Sequence, residues 1–260
     1  MLDARMEVGA GNTEHGFALE SQEISADARK IRKNPLLHCI YLDVYRRLLE
    51  EVPRHDYPRL LELGSGGGFL KELAPYAVTS ECVPVPGIER TVDACRISEH
   101  FESESLDAIV AFNVFHHLPD VRGFLTGASS VLRPGGRICL VEPWFTSVGQ
   151  LFHRLIHHEP YRDDPSDWRL VGEGRMAGAN TRLPTSVFRD SDERFQREFP
   201  QLVVRKRQPF HKWLYLASGG LKLNTHVPAP LARGLVALDR RIQFGDRTLG
   251  LFALVVVERV

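Results

Sequence analysis

The sequence predicts an α/β fold built on a mostly parallel sheet. Between residues 59 and 143, short apolar segments alternate with helical segments, which is the pattern of βαβ units. A glycine-rich stretch, Gly64 to Gly68, joins the first apolar segment to the helix that follows it. The 260 residues are 43% hydrophobic and 25% charged, a balance typical of a globular domain with an added cap or insertion.

The overall charge and the cysteine pattern exclude several classes of function. The 33 basic residues balance 33 acidic ones, so no global attraction draws the chain to nucleic acid or to an anionic membrane. The four cysteines form no Cys-x-x-Cys pair, and we expect buried thiols in a reducing compartment. No apolar run approaches the roughly 20 residues of a membrane span. We therefore expect a soluble, cytoplasmic protein with no membrane span.

The first 57 residues predict a polar tail followed by a helical cap. The first twenty residues show no apolar periodicity. From Ser25 to Val52, apolar residues recur at spacings of three and four, which indicates helix, and Pro35 fits a helix start or a break between two helices. We expect the cap to end at residue 57 and the core domain to span residues 58–260.

The core is predicted as strands alternating with helices. The expected strands are Arg59–Leu63, Thr79–Val85, Leu106–Phe112, Arg137–Val141, Leu202–Arg205 and Leu249–Glu258. The expected helical segments are Phe69–Leu73, Asp120–Leu132, Val187–Phe199 and Leu231–Phe244, and residues 133–136 are expected to form a turn. Insertions at about residues 144–185 and 210–244 are expected to cover a substrate, because long loops inside compact domains are usually functional.

The glycine-rich loop after the first strand is the strongest sign of a ligand. Glycine lets the backbone turn tightly and approach a ligand closely, and the helix that follows offers N–H groups. A dinucleotide fingerprint, Gly-x-Gly-x-x-Gly, would need its third glycine where Phe69 stands. The sequence fits the pattern acid-x-Gly-x-Gly-x-Gly instead, with Glu62, Gly64, Gly66 and Gly68. A glycine-rich turn that binds nothing is the alternative.

Four blocks of sequence occur in the order found in one enzyme family. They are Leu61–Gly68, Val92–Ala94, Leu106–Leu118 and Val131–Pro143. With these blocks the chain resembles the class I S-adenosylmethionine-dependent methyltransferases, especially their small-molecule, methyltransferase-11-like branch. The resemblance implies a Rossmann-like, seven-stranded methyltransferase sheet, mostly parallel with its last strand antiparallel. It also implies a helical cap, insertions, and S-adenosyl-L-methionine as the cofactor.

The resemblance assigns the first part of the cofactor site to the glycine-rich loop. An acid at the end of the first strand suits the ammonium side of the methionyl tail, which implies Glu62. The backbone at Gly64, Ser65 and Gly66 is expected to pack against the cofactor, and Gly68 completes the family's glycine pattern.

The second part of the implied site follows the next strands. Glu81 is the acid expected to accept hydrogen bonds from both ribose hydroxyls. Asp93 and Ala94 match the family position beside the adenine amino group. Asn113 follows the expected strand Leu106–Phe112, the family's fourth strand, beside the cofactor. The sequence departs from the family in one respect, since only about a dozen residues separate Glu81 from Asp93. The usual intervening helix is expected to be lost or reduced to a turn, and Glu81 as an acid on a surface loop stays an alternative.

Histidines near the expected methyl group are candidates for a general base. His117 follows the fourth strand, whereas its neighbour His116 is expected to pack or to form a hydrogen bond. His157 and His158 open the long polar loop, and His157 is the first candidate because Glu159 could orient its ring. A structural role for this second cluster stays open, and so does a metal site. Transfer from a sulfonium needs no metal, so none is expected.

The expected reaction is transfer of a methyl group to an O, N or C nucleophile of a small-molecule acceptor. Most of the catalysis would come from alignment of the two reactants. One alternative is a catalytically silent Rossmann-like module that binds the cofactor or only a partner, which the altered region after the second strand would suit. Another is a nicotinamide-dependent dehydrogenase, against which Phe69 argues. The sequence predicts no nucleic-acid partner and does not predict an oligomeric state.

Overall fold

The computed structural model describes residues 10–55, 58–146, 168, 179–210, 213–221, 227–242 and 245–260. The strands are β1 (Leu60–Leu63), β2 (Val78–Glu81), β3 (Arg90–Thr91), β4 (Leu106–Phe112), β5 (Leu132–Pro143), β6 (Leu202–Phe210) and β7 (Phe252–Arg259). The α-helices are α1 (Ala10–Lys33), α2 (Pro35–Leu49), α3 (Val121–Val131), α4 (Leu183–Thr185), α5 (Asp192–Glu198), α6 (Trp213–Ala217), α7 (Ala229–Arg241) and α8 (Asp246–Leu249). Shorter 3₁₀ turns cover Phe69–Glu72, Ala94–Glu99 and Phe115–His117, and a π turn covers Ser186–Asp190.

The described strands form one seven-stranded sheet in the order β3-β2-β1-β4-β5-β7-β6. Strands β1 to β5 pair in parallel, and β7 runs antiparallel to both of its neighbours. The order reverses at β1, so the carboxyl ends of β1 and β4 flank the position where ligands bind in open α/β sheets. The mostly parallel sheet with an antiparallel last strand, which the sequence predicted, is confirmed.

Both faces of the sheet are buried at its central strands. Strand β4 shows this best, because every residue from Leu106 to Phe112 is buried. Its Ile109 packs in a core cluster that includes Phe124 and Leu125 of α3, whereas its Val110 packs in a cluster on the other face that includes Leu48 of α2. A strand covered on both faces needs a continuous apolar run, as β4 has.

The first helix corrects the predicted N-terminal tail. Helix α1 begins at Ala10, well before the predicted start at Ser25. Its apolar contacts come from Ile24, Ala28 and Ile31, which are buried. The turns before Ile24 carry no apolar stripe, so periodicity could not locate the start. The predicted break at Pro35 is confirmed, because the Asn34 side chain accepts a hydrogen bond from the backbone N–H of Leu37 and caps α2.

Several predicted strand boundaries were wrong by a few residues. Strand β2 ends at Glu81 rather than Val85, because the chain turns after Glu81 through a segment with two prolines. Between β2 and β3 no helix forms and Gly87 has a φ of +86°, so the expected loss of the helix is confirmed. Strand β5 begins at Leu132 and takes in the predicted turn, and β6 extends to Phe210 because β7 pairs along its whole length.

The cysteines only partly match the expected burial. Cys139 is buried, Cys39 and Cys95 are partly buried, and Cys82 is exposed. None of the four forms a disulfide. In the described part of the chain, no helix has both the length and the apolar character that crossing a bilayer requires. The division into a cap over residues 1–57 and a core over residues 58–260 stays a prediction.

Candidate active site

The loop after β1 has a backbone that only glycine adopts easily. Gly64 has a φ of +64° and Gly66 a φ of +56°. A Cβ atom on Gly64 would lie 2.3 Å from Cγ2 of Val114, so a side chain there would clash with the segment after β4. A Cβ atom on Gly66 would meet nothing within 4 Å. Gly64 is therefore needed for packing, whereas Gly66 leaves open space beside the loop.

Two serines fix the loop to β2. The backbone N–H of Ser65 donates to the carbonyl oxygen of Ser80 at 2.9 Å, and the N–H of Ser80 donates to Oγ of Ser65 at 3.0 Å. The Ser80 hydroxyl in turn donates to the carbonyl oxygen of Glu62 at 2.7 Å. These buried bonds hold the loop in one conformation, and Ser65 has a structural role that the sequence analysis did not foresee.

Glu81 ends β2 and contacts the same loop. Its Oε1 accepts a hydrogen bond from the backbone N–H of Gly66 at 2.7 Å, and the side chain is buried. The alternative of an acid on a surface loop is therefore wrong. The bond fixes the carboxylate at the carboxyl end of β2, where it borders a cavity.

A cavity of about 540 Å³ lies at the carboxyl ends of β1, β2 and β4. The residues predicted from sequence that border it are Gly64, Ser65, Gly66, Glu81, Asp93, Ala94, Asn113 and His117. Glu62 and Gly68 do not border it. Glu62 is buried behind the loop, and Gly68, with a φ of +69°, begins the 3₁₀ turn Phe69–Glu72. His157 and His158 lie outside the described residues, as does most of the predicted insertion at 144–185.

Helices α1 and α2 form a wall of the cavity that the sequence analysis missed. Phe17, Glu20 and Asp27 border the cavity from α1, and Tyr41 and Tyr45 border it from α2. The two tyrosines are four residues apart and so share a helix face, which was a usable signal. The first half of α1 carries no such signal, because its sequence has no apolar periodicity.

Glu62 is a buried carboxyl group that lacks a charged partner. It is 1% exposed, and neither carboxylate oxygen has a hydrogen-bond partner. Burial raises the pKa of Glu62 to about 8, although the nearby hydroxyls of Tyr45 and Ser65 lower it. A buried carboxylate needs a cation or several donors to stay ionised. The site therefore fits the ammonium group of the cofactor that the sequence resemblance implies.

Asp93 and Ala94 follow β3 in sequence and border the cavity. Oδ1 of Asp93 accepts from the backbone N–H of Cys95 at 2.9 Å and caps the 3₁₀ turn Ala94–Glu99. The Asp93 side chain is exposed, whereas Ala94 is buried. Asp93 therefore caps this turn with Oδ1, and its other carboxylate oxygen, Oδ2, takes no part in that bond.

Asn113 directly follows β4, and its backbone is in the left-handed conformation. Its φ is +57°, which asparagine tolerates better than most residues, and its backbone N–H donates to the carbonyl oxygen of Val141 at 3.0 Å. Its side-chain Oδ1 is buried and has no hydrogen-bond partner. An unpaired buried acceptor at the wall of a cavity fits a site for a donor group of a ligand.

Glu142, at the end of β5, organises the turn after β4. Its Oε1 accepts from the backbone N–H groups of Val114 and Phe115, each at 2.8 Å. Its Oε2 lies 2.6 Å from Nδ1 of His116, which is buried as expected. The His116 ring packs on the His117 ring with 4.0 Å between centroids, and His117 borders the cavity. In the sequence Glu142 stands only at the end of a predicted strand, and no local pattern links it to the turn after β4.

The described residues contain no group of three His, Cys, Asp or Glu side chains arranged to hold a metal ion. The histidine cluster considered for a metal lies outside the described residues.

Comparisons with known proteins agree with the fold. A sequence model of the family described as "Methyltransferase domain" matches residues 36–233, well over half of the chain. A solved S-adenosylmethionine-dependent methyltransferase from Archaeoglobus fulgidus is 15% identical with a TM-score of 0.50, over 84% of this chain and 93% of that one. No curated protein matches the sequence.

Two further solved structures are similar at lower TM-scores. Geranyl diphosphate C-methyltransferase from Streptomyces coelicolor, in complex with Mg²⁺, geranyl diphosphate and S-adenosyl-L-homocysteine, is 12% identical with a TM-score of 0.45, over 86% of this chain and 82% of that one. The [4+2]-cyclase SpnF is 12% identical with a TM-score of 0.45, over 84% of this chain and 80% of that one. From the family match, the sheet and the site together, the chain belongs to the methyltransferase domain family and is an S-adenosylmethionine-dependent methyltransferase of the class I fold.

Proposed function

We propose that the protein transfers the methyl group of S-adenosylmethionine to an O, N or C nucleophile of a small-molecule acceptor in this cavity. The observation that carries the proposal is the cavity of about 540 Å³ between the glycine-rich loop and the wall formed by α1 and α2. The cofactor supplies a methyl group activated by its sulfonium. The protein then has to bind both reactants, align them and exclude water.

The cofactor's methionyl end is assigned to the loop after β1. Glu62 would pair with the ammonium group, because its unpaired buried carboxyl needs a cation. Gly64, Ser65 and Gly66 would contact the cofactor through the backbone that borders the cavity. Gly68 would act indirectly, by starting the turn that follows the loop with a φ of +69°.

The nucleoside end is assigned to the residues after β2, β3 and β4. Glu81 would accept hydrogen bonds from the ribose hydroxyls, since one of its oxygens is fixed by Gly66. Asp93 and Ala94 would contact the adenine, and the unpaired Oδ1 of Asn113 would accept a hydrogen bond from the bound ligand. Each assignment uses a group that borders the cavity.

His117 is the best supported candidate for a general base. It borders the cavity, and its ring packs on the ring of His116. His116 is itself held by a buried contact with Glu142. A base is needed only when the acceptor carries a proton in its ground state. His157 and His158 stay candidates on the sequence argument alone, and an acceptor that ionises readily would need none of the three.

A small acceptor is favoured over a macromolecule by the shape and charge of the site. Side chains of α1 border the cavity, and its aromatic lining of Phe17, Tyr41 and Phe112 suits a compact, partly apolar molecule. The net charge of +0 offers no long-range attraction to nucleic acid. We place the protein in the cytoplasm, where the cofactor and such acceptors are found together.

The test uses S-adenosylmethionine labelled in its methyl group. The protein is incubated with a fractionated small-molecule extract and, separately, with transfer RNA and with total protein. The proposal expects label to move into the small-molecule fraction. It also expects no transfer by a folded Gly66→Val variant, in which a branched side chain occupies space beside the cavity. Label found only in RNA or protein would contradict it, and so would wild-type protein that binds no cofactor at millimolar concentration.

A further inference from the structure

The carboxyl group of Glu62 is enclosed by groups that do not neutralise it. It is 1% exposed at the end of β1, and both oxygens lack hydrogen-bond partners. Such a group is stable in the protein interior as a neutral carboxylic acid, because an ionised carboxylate without partners is costly to bury. Burial without partners therefore favours the neutral acid at this position, in the strand that leads into the glycine-rich loop bordering the cavity.

Four neighbouring groups act on the ionisation of this carboxyl. The hydroxyls of Tyr45 on α2 and Ser65 in the loop favour the carboxylate, and the more distant Lys71 favours it weakly. Glu81 on β2 disfavours it by repulsion of like charge. Burial is the largest influence, and together they raise the pKa of Glu62 to about 8.

Tyr45 is the neighbour that also borders the cavity. Its side chain is buried, and burial followed by the Glu62 carboxyl raises the pKa of its phenol well above 10. The phenol therefore stays a hydrogen-bond donor throughout the usual pH range. Placed beside Glu62, it can hold a carboxylate once one forms, but it cannot remove the proton.

We propose that Glu62 and Tyr45 form one proton-exchanging recognition unit: Glu62 is a carboxylic acid in the free protein and releases its proton to solvent when the cofactor's ammonium group binds, while the Tyr45 hydroxyl positions the carboxylate. The inference rests on the proposed role of Glu62 and adds a proton to the binding step. Tyr45 is a positioning residue in this unit.

The unit makes cofactor affinity depend on pH in a defined direction. Because the bound form has Glu62 ionised and the free form has it protonated below a pH of about 8, binding releases a proton there. Affinity should therefore rise about tenfold per pH unit as the pH approaches 8 from below, and level off above it.

The experiment is calorimetric titration of the whole protein with S-adenosylhomocysteine at pH 7 in buffers of different ionisation enthalpy. The wild type is expected to release close to one proton per ligand. Methylthioadenosine, which lacks the amino acid group, is expected to bind without release. Folded Glu62→Gln is expected to bind S-adenosylhomocysteine more weakly and also without release.

Tyr45→Phe separates positioning from packing, since only the hydroxyl is removed. Without that hydroxyl the Glu62 carboxyl is harder to ionise, so the pH at which affinity levels off should move upward. Tyr76→Phe, at an exposed tyrosine, should leave the profile unchanged. Tight wild-type binding without proton release overturns this inference alone, as does undiminished release in Glu62→Gln. Absence of binding by the wild type overturns the proposed function and this inference with it.

Discussion

The Nδ1 atom of His116 lies 2.6 Å from Oε2 of Glu142, and both side chains are buried. Glu142 uses its other oxygen to hold the backbone of the turn that follows β4. One carboxylate at the end of β5 thus fixes the segment that brings Asn113 and His117 to the cavity. Support for the site therefore comes from a neighbouring strand, not from the turn itself.

Replacing Glu142 with alanine should destabilise the protein by about 3 kcal/mol or more, because several hydrogen-bond donors would lose their acceptor, at about 1–3 kcal/mol for each buried group. The His116 ring and two backbone N–H groups would lose their acceptor. Urea denaturation measures this loss. Glu99→Ala, which removes an exposed pair with Arg96, should change stability by less than about 0.5 kcal/mol. A loss below 1 kcal/mol for Glu142→Ala would contradict the role given to this carboxylate.

Gly66→Val should abolish cofactor binding while the fold survives. The backbone at Gly66 has a positive φ, and a side chain would enter open space beside the cavity. Gly135→Val is the matched control, because Gly135 also has a positive φ and open space around it but does not border the cavity. Both variants carry the same kind of backbone strain. Calorimetry beside circular dichroism should show that only Gly66→Val loses binding, and equal affinity in the two folded variants would argue against the loop's role.

Glu81→Ala should weaken the binding of S-adenosylhomocysteine by about 1–3 kcal/mol, the range for hydrogen bonds to a charged group. The loss should be much smaller for an analogue without ribose hydroxyls, because that analogue makes no bond for the variant to lose. Glu102→Ala, at an exposed acid away from the cavity, should bind like the wild type. If both ligands lose affinity equally in Glu81→Ala, the carboxylate supports the loop through Gly66 and does not bind the ribose.

The sequence was sufficient for the sheet because the strands are apolar runs bounded by turn residues. Strand β4 was predicted with its observed ends, since Leu106–Phe112 is a continuous apolar segment apart from one aspartate. Strand β5 was predicted too short because its first residues contain Pro134 and two glycines, which indicate a turn. Pairing with neighbouring strands extended it, and pairing cannot be seen in a local pattern.

The candidate site was predictable where a local motif places a residue next to a strand end. Glu81 and Asn113 follow β2 and β4 in sequence, so their positions at the cavity follow from the parallel sheet. Tyr45 and Glu20 reach the cavity from helices that are distant in sequence from the glycine-rich loop. The spacing of Tyr41 and Tyr45 places them on one face of α2. No spacing within α1 or α2 indicates which part of the fold such a face meets, because that depends on how the helices pack.

His117→Ala should lower turnover by roughly 100-fold or more if the imidazole accepts the acceptor's proton, while cofactor affinity stays unchanged. His55→Ala, at an exposed histidine, serves as the control, and His157→Ala and His158→Ala test the other candidates. If all three candidate variants keep full turnover with the identified acceptor, the enzyme relies on alignment without a histidine base.

A crystal structure of the protein with S-adenosylhomocysteine tests the central claim most directly. We predict that the ligand occupies the cavity bordered by Gly66, Asp93 and His117, with its ribose hydroxyls about 2.6–3.2 Å from the Glu81 carboxylate and its ammonium group toward Glu62. The sulfur should face the part of the cavity that His117 borders, leaving room for an acceptor. A ligand bound elsewhere, or bound with its ribose away from Glu81 and its ammonium group away from Glu62, would contradict the account.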